Sequence, residues 1–418
     1  MAEKFIGYRC SLCGREYAPG EILYTCVHDG GNLDILLDYD SINRGQSREK
    51  VINSQEESIW RYLPLLPVAE PGGYGTPFHA VGWTPVYAPS RLIESLGLKQ
   101  LWIKDESSNP TASFKDRASA LVVARAREIN AETVVTASTG NAGAALAGMA
   151  AAVDHQAVIF APKSAPPAKI AQLLIFGATV LLVDGNYDQA VELAMKASEE
   201  FGWYCRNTGY NPFTAEGKKT ASFEIWEQLI NSGNVNNSGK PLAVFVSVGD
   251  GNIISGIHKG FKDLQALDWI ERPPKIYGVQ ADGSAAIANA FASQVETITP
   301  VSANTFADSI SVDMPSDGVR AVRAATQTGG AYITVSDDEI LSAIADLGVA
   351  GIFAEPAGAT SYAGLVKAVK EGKILPDDPV VVVITGNGLK DISAAMKAVD
   401  EAQVIEATLE DLKRVLKI

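Results

Sequence analysis

Short uninterrupted apolar runs alternate with helix-forming stretches from residue 90 onward, and this alternation limits most severely what the chain can fold into. Residues 101–104, 133–136, 157–160, 179–183, 242–248 and 380–384 read as strands. Runs of this kind belong to sheets covered on both faces. Between them, residues 90–96, 118–127, 142–152, 169–176 and 187–200 read as helices. Strands and helices in alternation make α/β layers with parallel strands. Ligands of such sheets sit at the carboxyl ends of the strands, so the loops that follow strands carry the chemistry.

With 418 residues, two packed domains plus an appendage are expected rather than one core. A formal net charge of −14 argues against a nucleic-acid surface. No apolar run reaches membrane-spanning length, and residues 1–4 open onto no signal-peptide core. Neither nucleic acid nor membrane is an expected partner, and a cytoplasmic location is expected. The four cysteines, Cys10, Cys13, Cys26 and Cys205, are too few for a disulfide scaffold in a chain this long.

One lysine stands out. Asn109-Pro110 marks a turn, and Lys115 follows it at the start of a helical run. A helix N-terminus disfavours a further positive charge and depresses a lysine pKa, which suits an amine that attacks a carbonyl to form a Schiff base. Alone, Lys115 reads equally well as a surface lysine. Three strand-to-helix loops alter that balance. Ala137-Ser138-Thr139-Gly140-Asn141 is small, polar and suited to a carboxylate. Gly249-Asp250-Gly251-Asn252-Ile253 leads into a helix and suits a phosphate, although Ile254 departs from the dinucleotide glycine spacing. Thr385-Gly386-Asn387-Gly388 is the third.

Near the N-terminus, Cys10-x-x-Cys13 and Cys26-Val27-His28-Asp29 resemble the two knuckles of a zinc ribbon. The expected set is Cys10, Cys13, Cys26 and His28, with Asp29 as the other candidate for the fourth ligand. The competing reading is a ribbon without metal, held by Tyr8, Tyr17, Tyr24 and Leu33.

Taken together, Lys104-Asp105-Glu106, Ser113-Phe114-Lys115-Asp116-Arg117, Ser138-Thr139-Gly140-Asn141, Gly249-Asp250-Gly251-Asn252 and Thr385-Gly386-Asn387-Gly388 resemble the fold-type II pyridoxal-phosphate enzymes. Within that superfamily they resemble the threonine synthases. The resemblance covers residue 80 to the C-terminus and implies a two-domain α/β fold with parallel-rich sheets. Its implied divisions are a zinc-ribbon-like segment at 1–40, an arm and the first part of the large domain at 41–114, a small domain at 115–210, and the rest of the large domain at 211–418.

It further implies that Lys115 carries pyridoxal phosphate as a Schiff base and acts as the catalytic base. Asn141 would hydrogen-bond the ring hydroxyl. Gly249, Asp250, Gly251, Asn252 and Ile253 would cradle the phosphate, and Thr385 would face the ring nitrogen. Ser138, Thr139, Asn141 and Asn207 would bind an amino-acid substrate. A homodimer is expected from the family. The implied reaction converts O-phospho-L-homoserine and water to L-threonine and phosphate.

Two positions depart from the threonine synthase pattern. Ala142 stands where a threonine is usual, and Thr214 where an arginine is usual. Both usual residues help bind the substrate phosphate, so the substrate is the open question. A related lyase or β-replacement enzyme using serine, threonine or O-phosphoserine is the alternative. A non-catalytic binding protein is a third reading.

Overall fold

Residues 4–235 and 239–418 are described in the computed structural model. Residues 1–3 of the ribbon-like segment lie outside the described residues. The chain begins with an antiparallel sheet ordered β2-β1-β3, made of β1 (Phe5–Cys10), β2 (Glu16–Tyr17) and β3 (Leu33–Leu37). Tyr8, Tyr17 and Leu33 are buried there. An arm follows, in which Ser58 caps the 3₁₀ turn Ile59–Leu65. The arm buries Trp60 and Tyr62, and Arg61 and Tyr62 both reach Glu227.

Strands β4 (Val86–Tyr87) and β5 (Leu101–Asp105) start the larger sheet. The chain then leaves it to build a second sheet from β6 (Thr133–Ala137), β7 (Gln156–Pro162), β8 (Thr179–Val183) and β9 (Tyr204–Cys205), ordered β8-β7-β6-β9 and wholly parallel. It returns with β10 (Ala243–Ser247), β11 (Lys275–Ala281), β12 (Ala331–Val335) and β13 (Val380–Ile384). The larger sheet is ordered β12-β11-β10-β13-β5-β4, parallel except for the antiparallel edge strand β4.

The apolar runs explain this arrangement. Every residue of β10 and of β13 is buried, because helices cover both faces of the central strands. Strand β8 differs. It is equally apolar, yet Leu181 and Leu182 are exposed, since β8 is the sheet edge and lacks full cover. Strands β11 and β12 were not expected from the sequence. Gly278 and Gln280 interrupt the apolar pattern of β11, and Gln280 is buried because its side chain bonds Val248 O and Ala288 N–H.

Candidate active site

The carboxyl ends of β5, β6, β10 and β13 and the loops between them bring together four helix starts. These open the helices Lys115–Glu128, Asn141–Ala151, Asn252–Ala266 and Pro356–Lys370, and none has a side-chain cap. Uncapped first turns direct free N–H groups and the positive end of the helix dipole outward, which favours an anion.

Lys115 is fixed in place through its backbone. Phe114 N–H donates to Thr385 O at 2.9 Å, and Asn387 N–H to Ala112 O at 3.1 Å. Ser113 and Gly386 form an isolated bridge. The Lys115 and Thr385 loops are therefore one unit. Burial pushes the Lys115 ammonium down from its ordinary pKa, and the nearby Arg206 pushes it further, while Asp250 and Glu355 work the other way. Thr385 Oγ1 lies 3.5 Å from Ser247 Oγ at the end of β10.

Asn141 donates from Nδ2 to both Glu355 carboxylate oxygens at 3.0 Å. Glu355 lies against Gly386, where an added Cβ would come within 2.3 Å of Oε1. Only glycine leaves that room. Glu355 thus faces the site and does not cap its own helix.

In the Gly249–Ile253 loop the side chains turn into the fold. Asp250 accepts from Ser316 N–H at 3.0 Å and Ser316 Oγ at 2.8 Å, and Asn252 donates to Asp317 Oδ2 at 2.7 Å. Gly251 has φ +87°, and a Cβ there would meet Asp317 O at 2.7 Å. What the loop offers a ligand is backbone N–H. Ser138 and Thr139 are half-buried at the mouth of β6.

The unusual feature is a group of buried cations. Arg206 and Lys218 are both fully buried. Arg206 donates to Ser119 Oγ at 3.2 Å and Thr208 Oγ1 at 2.6 Å, and its Nη2 has no partner. Lys218 donates to Asn252 Oδ1 at 2.5 Å. Among the described residues, no carboxylate forms an ion pair with either. Burial lowers Arg206 to about 10, and burial with the charges of Lys115 and Arg206 lowers Lys218 well below its ordinary range. Asn207 accepts through Oδ1 from Thr136 Oγ1 and Ala137 N–H, while its Nδ2 is buried without a partner. An unpaired buried cation is costly, so the arrangement fits an anionic ligand. Thr214 is not part of it, since its hydroxyl donates to Asn211 O at 2.7 Å. The sequence offers Arg206 and Lys218 only as cations among several. What singles them out is the absence of a carboxylate, visible only in three dimensions.

In the ribbon, Cys10, Cys13, Cys26 and Asp29 place one ligand atom each within 4.8 Å of one another. His28, the fourth ligand expected from sequence, is not among them and is exposed. The turn decides between the neighbours: Gly31 N–H donates to Asp29 Oδ1 at 2.9 Å and holds that carboxylate inward.

Residues 78–386 match the family model described as pyridoxal-phosphate dependent enzyme. The chain belongs to that family. It is a pyridoxal-phosphate-dependent lyase, and relatives bearing the name threonine synthase match it over nearly its whole length. The threonine synthase of Methanocaldococcus jannaschii is 40% identical over 98% of this chain and 99% of that one. The threonine synthase of Methanosarcina acetivorans is 37% identical over 98% of each. Among solved structures, the processed form of threonine deaminase isoform 2 from Solanum lycopersicum aligns with a TM-score of 0.66 and 25% identity, covering 80% of this chain and 90% of that one. No helix among the described residues is long and apolar enough to cross a membrane.

The residues present fit the family's cofactor. They supply an amine whose proton is destabilised and, behind the Gly249–Ile253 loop, an uncapped helix start whose backbone N–H groups suit a phosphate.

Proposed function

We propose that this enzyme is a threonine synthase that converts O-phospho-L-homoserine and water to L-threonine and phosphate, with the cofactor held on Lys115. The observation that carries this reading is the pair Arg206 and Lys218, buried cations without carboxylate partners close enough to influence Lys115. They supply the positive charge that Thr214 does not, and a phosphorylated substrate is what neutralises them. Pyridoxal phosphate, when bound, supplies an electron sink next to the substrate amine. Asn141, the N–H groups of residues 249–253, and Thr385 with Ser247 hold that group. Ser138, Thr139 and the first turn of Asn141–Ala151 receive the substrate carboxylate.

Lys115, released as a free amine, is the base at the α-carbon and moves a proton at the β-carbon. Its lowered pKa keeps the amine ready to accept a proton. In the balanced reaction the C–O bond from the γ-carbon to phosphate breaks. A proton ends on the γ-carbon and the hydroxyl from water on the β-carbon. The 115–210 unit closes over the substrate and excludes water from the earlier steps. The reading also carries a cytoplasmic homodimer, and a zinc ion on Cys10, Cys13, Cys26 and Asp29.

Ala142 and Thr214 favour the second reading, a lyase of unphosphorylated hydroxy-amino acids. Cofactor-loaded protein assayed with O-phospho-L-homoserine decides between them. Equal amounts of threonine and phosphate, absent in Lys115→Ala, support the first. Keto acid formed from threonine or serine, with no turnover of the phosphate ester, supports the second.

A further inference from the structure

The ribbon and the anion-binding segment are in direct contact. Thr25 and Asn32 pair as an isolated bridge at the base of the knuckle that carries Cys26 and Asp29. Inside it, Cys26 N–H donates to Gly31 O at 2.9 Å and Gly30 N–H to Cys26 O at 2.8 Å. The residues flanking that knuckle hold the segment 205–210 from outside. Tyr24 hydroxyl accepts from Cys205 N–H at 2.9 Å, and its ring stacks on Tyr210 at 4.4 Å between centroids. Asn32 Nδ2 donates to Gly209 O at 2.7 Å.

These contacts bracket Arg206, Asn207 and Thr208 on both sides. The bracketed residues have little regular structure of their own. Strand β9 is two residues long and pairs with β6 only at Tyr204 and Cys205. Beyond it, Arg206 N–H donates to Val135 O at 2.7 Å, and Ser316 Oγ reaches Thr208 O at 3.2 Å. The knuckle therefore fixes the register of the segment that presents the unpaired Arg206 Nη2 and Asn207 Nδ2. Cys10 Sγ already donates to Asp29 Oδ1 at 3.3 Å, and a cation on the four ligand atoms would tie Cys10 and Cys13 to the 26–29 turn far more firmly than that thiol contact does.

We infer that a zinc ion on Cys10, Cys13, Cys26 and Asp29 is a positioning element for the substrate's phosphate, acting through Tyr24 and Asn32 on the Arg206–Asn207 segment. The knuckle's flanking residues touch the chain at Cys205, Gly209 and Tyr210, on either side of Arg206. The inference rests on the phosphate-binding role proposed above for Arg206. The zinc sits outside the reaction and touches neither cofactor nor substrate; its effect is on affinity for the anion.

The test uses the full-length, cofactor-loaded protein. Zinc content is measured by plasma mass spectrometry, cofactor retention by visible absorbance, and affinity for inorganic phosphate by calorimetry, beside KM and kcat for O-phospho-L-homoserine. The expected wild-type protein carries about one zinc per chain. Cys13→Ser is expected to lose the zinc, keep the cofactor absorbance, and weaken phosphate affinity and raise KM by roughly tenfold or more, with a much smaller change in kcat. Asn32→Ala leaves all four ligands in place. It is expected to keep the zinc and still raise KM in the same direction, which a purely local role for the metal would not produce.

Unchanged phosphate affinity in zinc-free protein overturns the inference. So does a wild-type chain that binds phosphate fully without metal, or loss of the cofactor in step with the zinc. If Cys13→Ser fails to fold, Asn32→Ala with wild-type affinity is sufficient to overturn it. Because calorimetry with phosphate needs no turnover, failure of O-phospho-L-homoserine as a substrate is read separately from failure of this inference.

Discussion

Two groups of interior charge, which meet in sequence at Lys115 and Arg117, differ in whether the chain itself supplies the opposite charge. In the first, Arg117 donates to Glu106 Oε2 and Oε1 at 2.6 and 2.7 Å and also to Glu224. Lys104 adds bonds to Glu224 Oε2 at 2.6 Å and Thr84 O at 2.7 Å. Two cations meet two anions, all fully buried. Burial works against both cations: Glu106 and Glu224 outweigh it for Arg117 and raise its pKa, whereas Lys104 is still lowered by burial, with Glu224 and Glu106 pulling the other way. The second group is Lys115, Arg206 and Lys218. Here, among the described residues, no carboxylate forms an ion pair with any of the three, and burial pushes all of them down although Asp250 acts in the other direction. The balanced group anchors helix Lys115–Glu128 to β5; on the function proposed above, the unbalanced one receives the substrate's phosphate. Charge in a protein interior is structural when its partner is in the chain, and functional when its partner has to arrive.

That contrast can be broken at three points, and a buried histidine outside both groups sharpens it. The largest effect is expected for Lys115→Ala, which removes the base proposed above: turnover falls on the order of 10⁴-fold while the thermal midpoint barely moves. Residual activity within tenfold of wild type would place the base elsewhere. Next comes Arg117→Met, which leaves Glu106 and Glu224 buried together with only Lys104. A loss of about 3–5 kcal/mol in denaturant unfolding is expected. A midpoint equal to wild type would mean that the balanced group is not structural.

Arg206→Gln should do the reverse. It removes an unpaired buried cation, so stability of the ligand-free protein is unchanged or higher. Meanwhile kcat/KM for the phosphorylated substrate drops by about 10²-fold, or about 2.7 kcal/mol. Destabilisation with normal kinetics would return Arg206 to a structural role.

The smallest effect concerns His258, on the helix Asn252–Ala266. Burial first, then the charges of Lys262 and Lys259, lowers it to about 3. Its folded value lies below its unfolded value near 6.5, so the unfolded chain takes up the proton first. The stability it contributes is present above about 6.5 and is lost as pH falls toward 3. Between pH 7 and pH 5, wild type should lose on the order of 1–2 kcal/mol more than His258→Gln, read from urea midpoints. Parallel losses would show that His258 does not titrate in this range.

Part of this was legible in the chain alone because it depends on local composition. Continuous runs such as Val380–Ile384 are strands wherever helices can cover both faces, and glycine-bearing loops after them follow from strand-to-helix geometry. Strand β11 is hidden in the sequence because a buried Gln280 looks polar until its two partners are known. The choice of Asp29 over His28 was invisible for a similar reason. Adjacent residues point in different directions, and only the Cys26–Gly31 turn says which points inward.

The amino-acid order was enough for the alternating α/β layers and for the lysine at a helix start among anion-suited loops, since each rests on neighbours within a few residues. Tertiary structure alone decided which cations are paired. Lys104, Arg117, Arg206 and Lys218 are alike in sequence as basic residues, and the fold buries all four. Glu224 reaches two of them from more than a hundred positions away, and among the described residues no carboxylate pairs with the other two. The difference between a brace and a binding site is made by long-range Coulomb partners, which proximity along the chain does not encode.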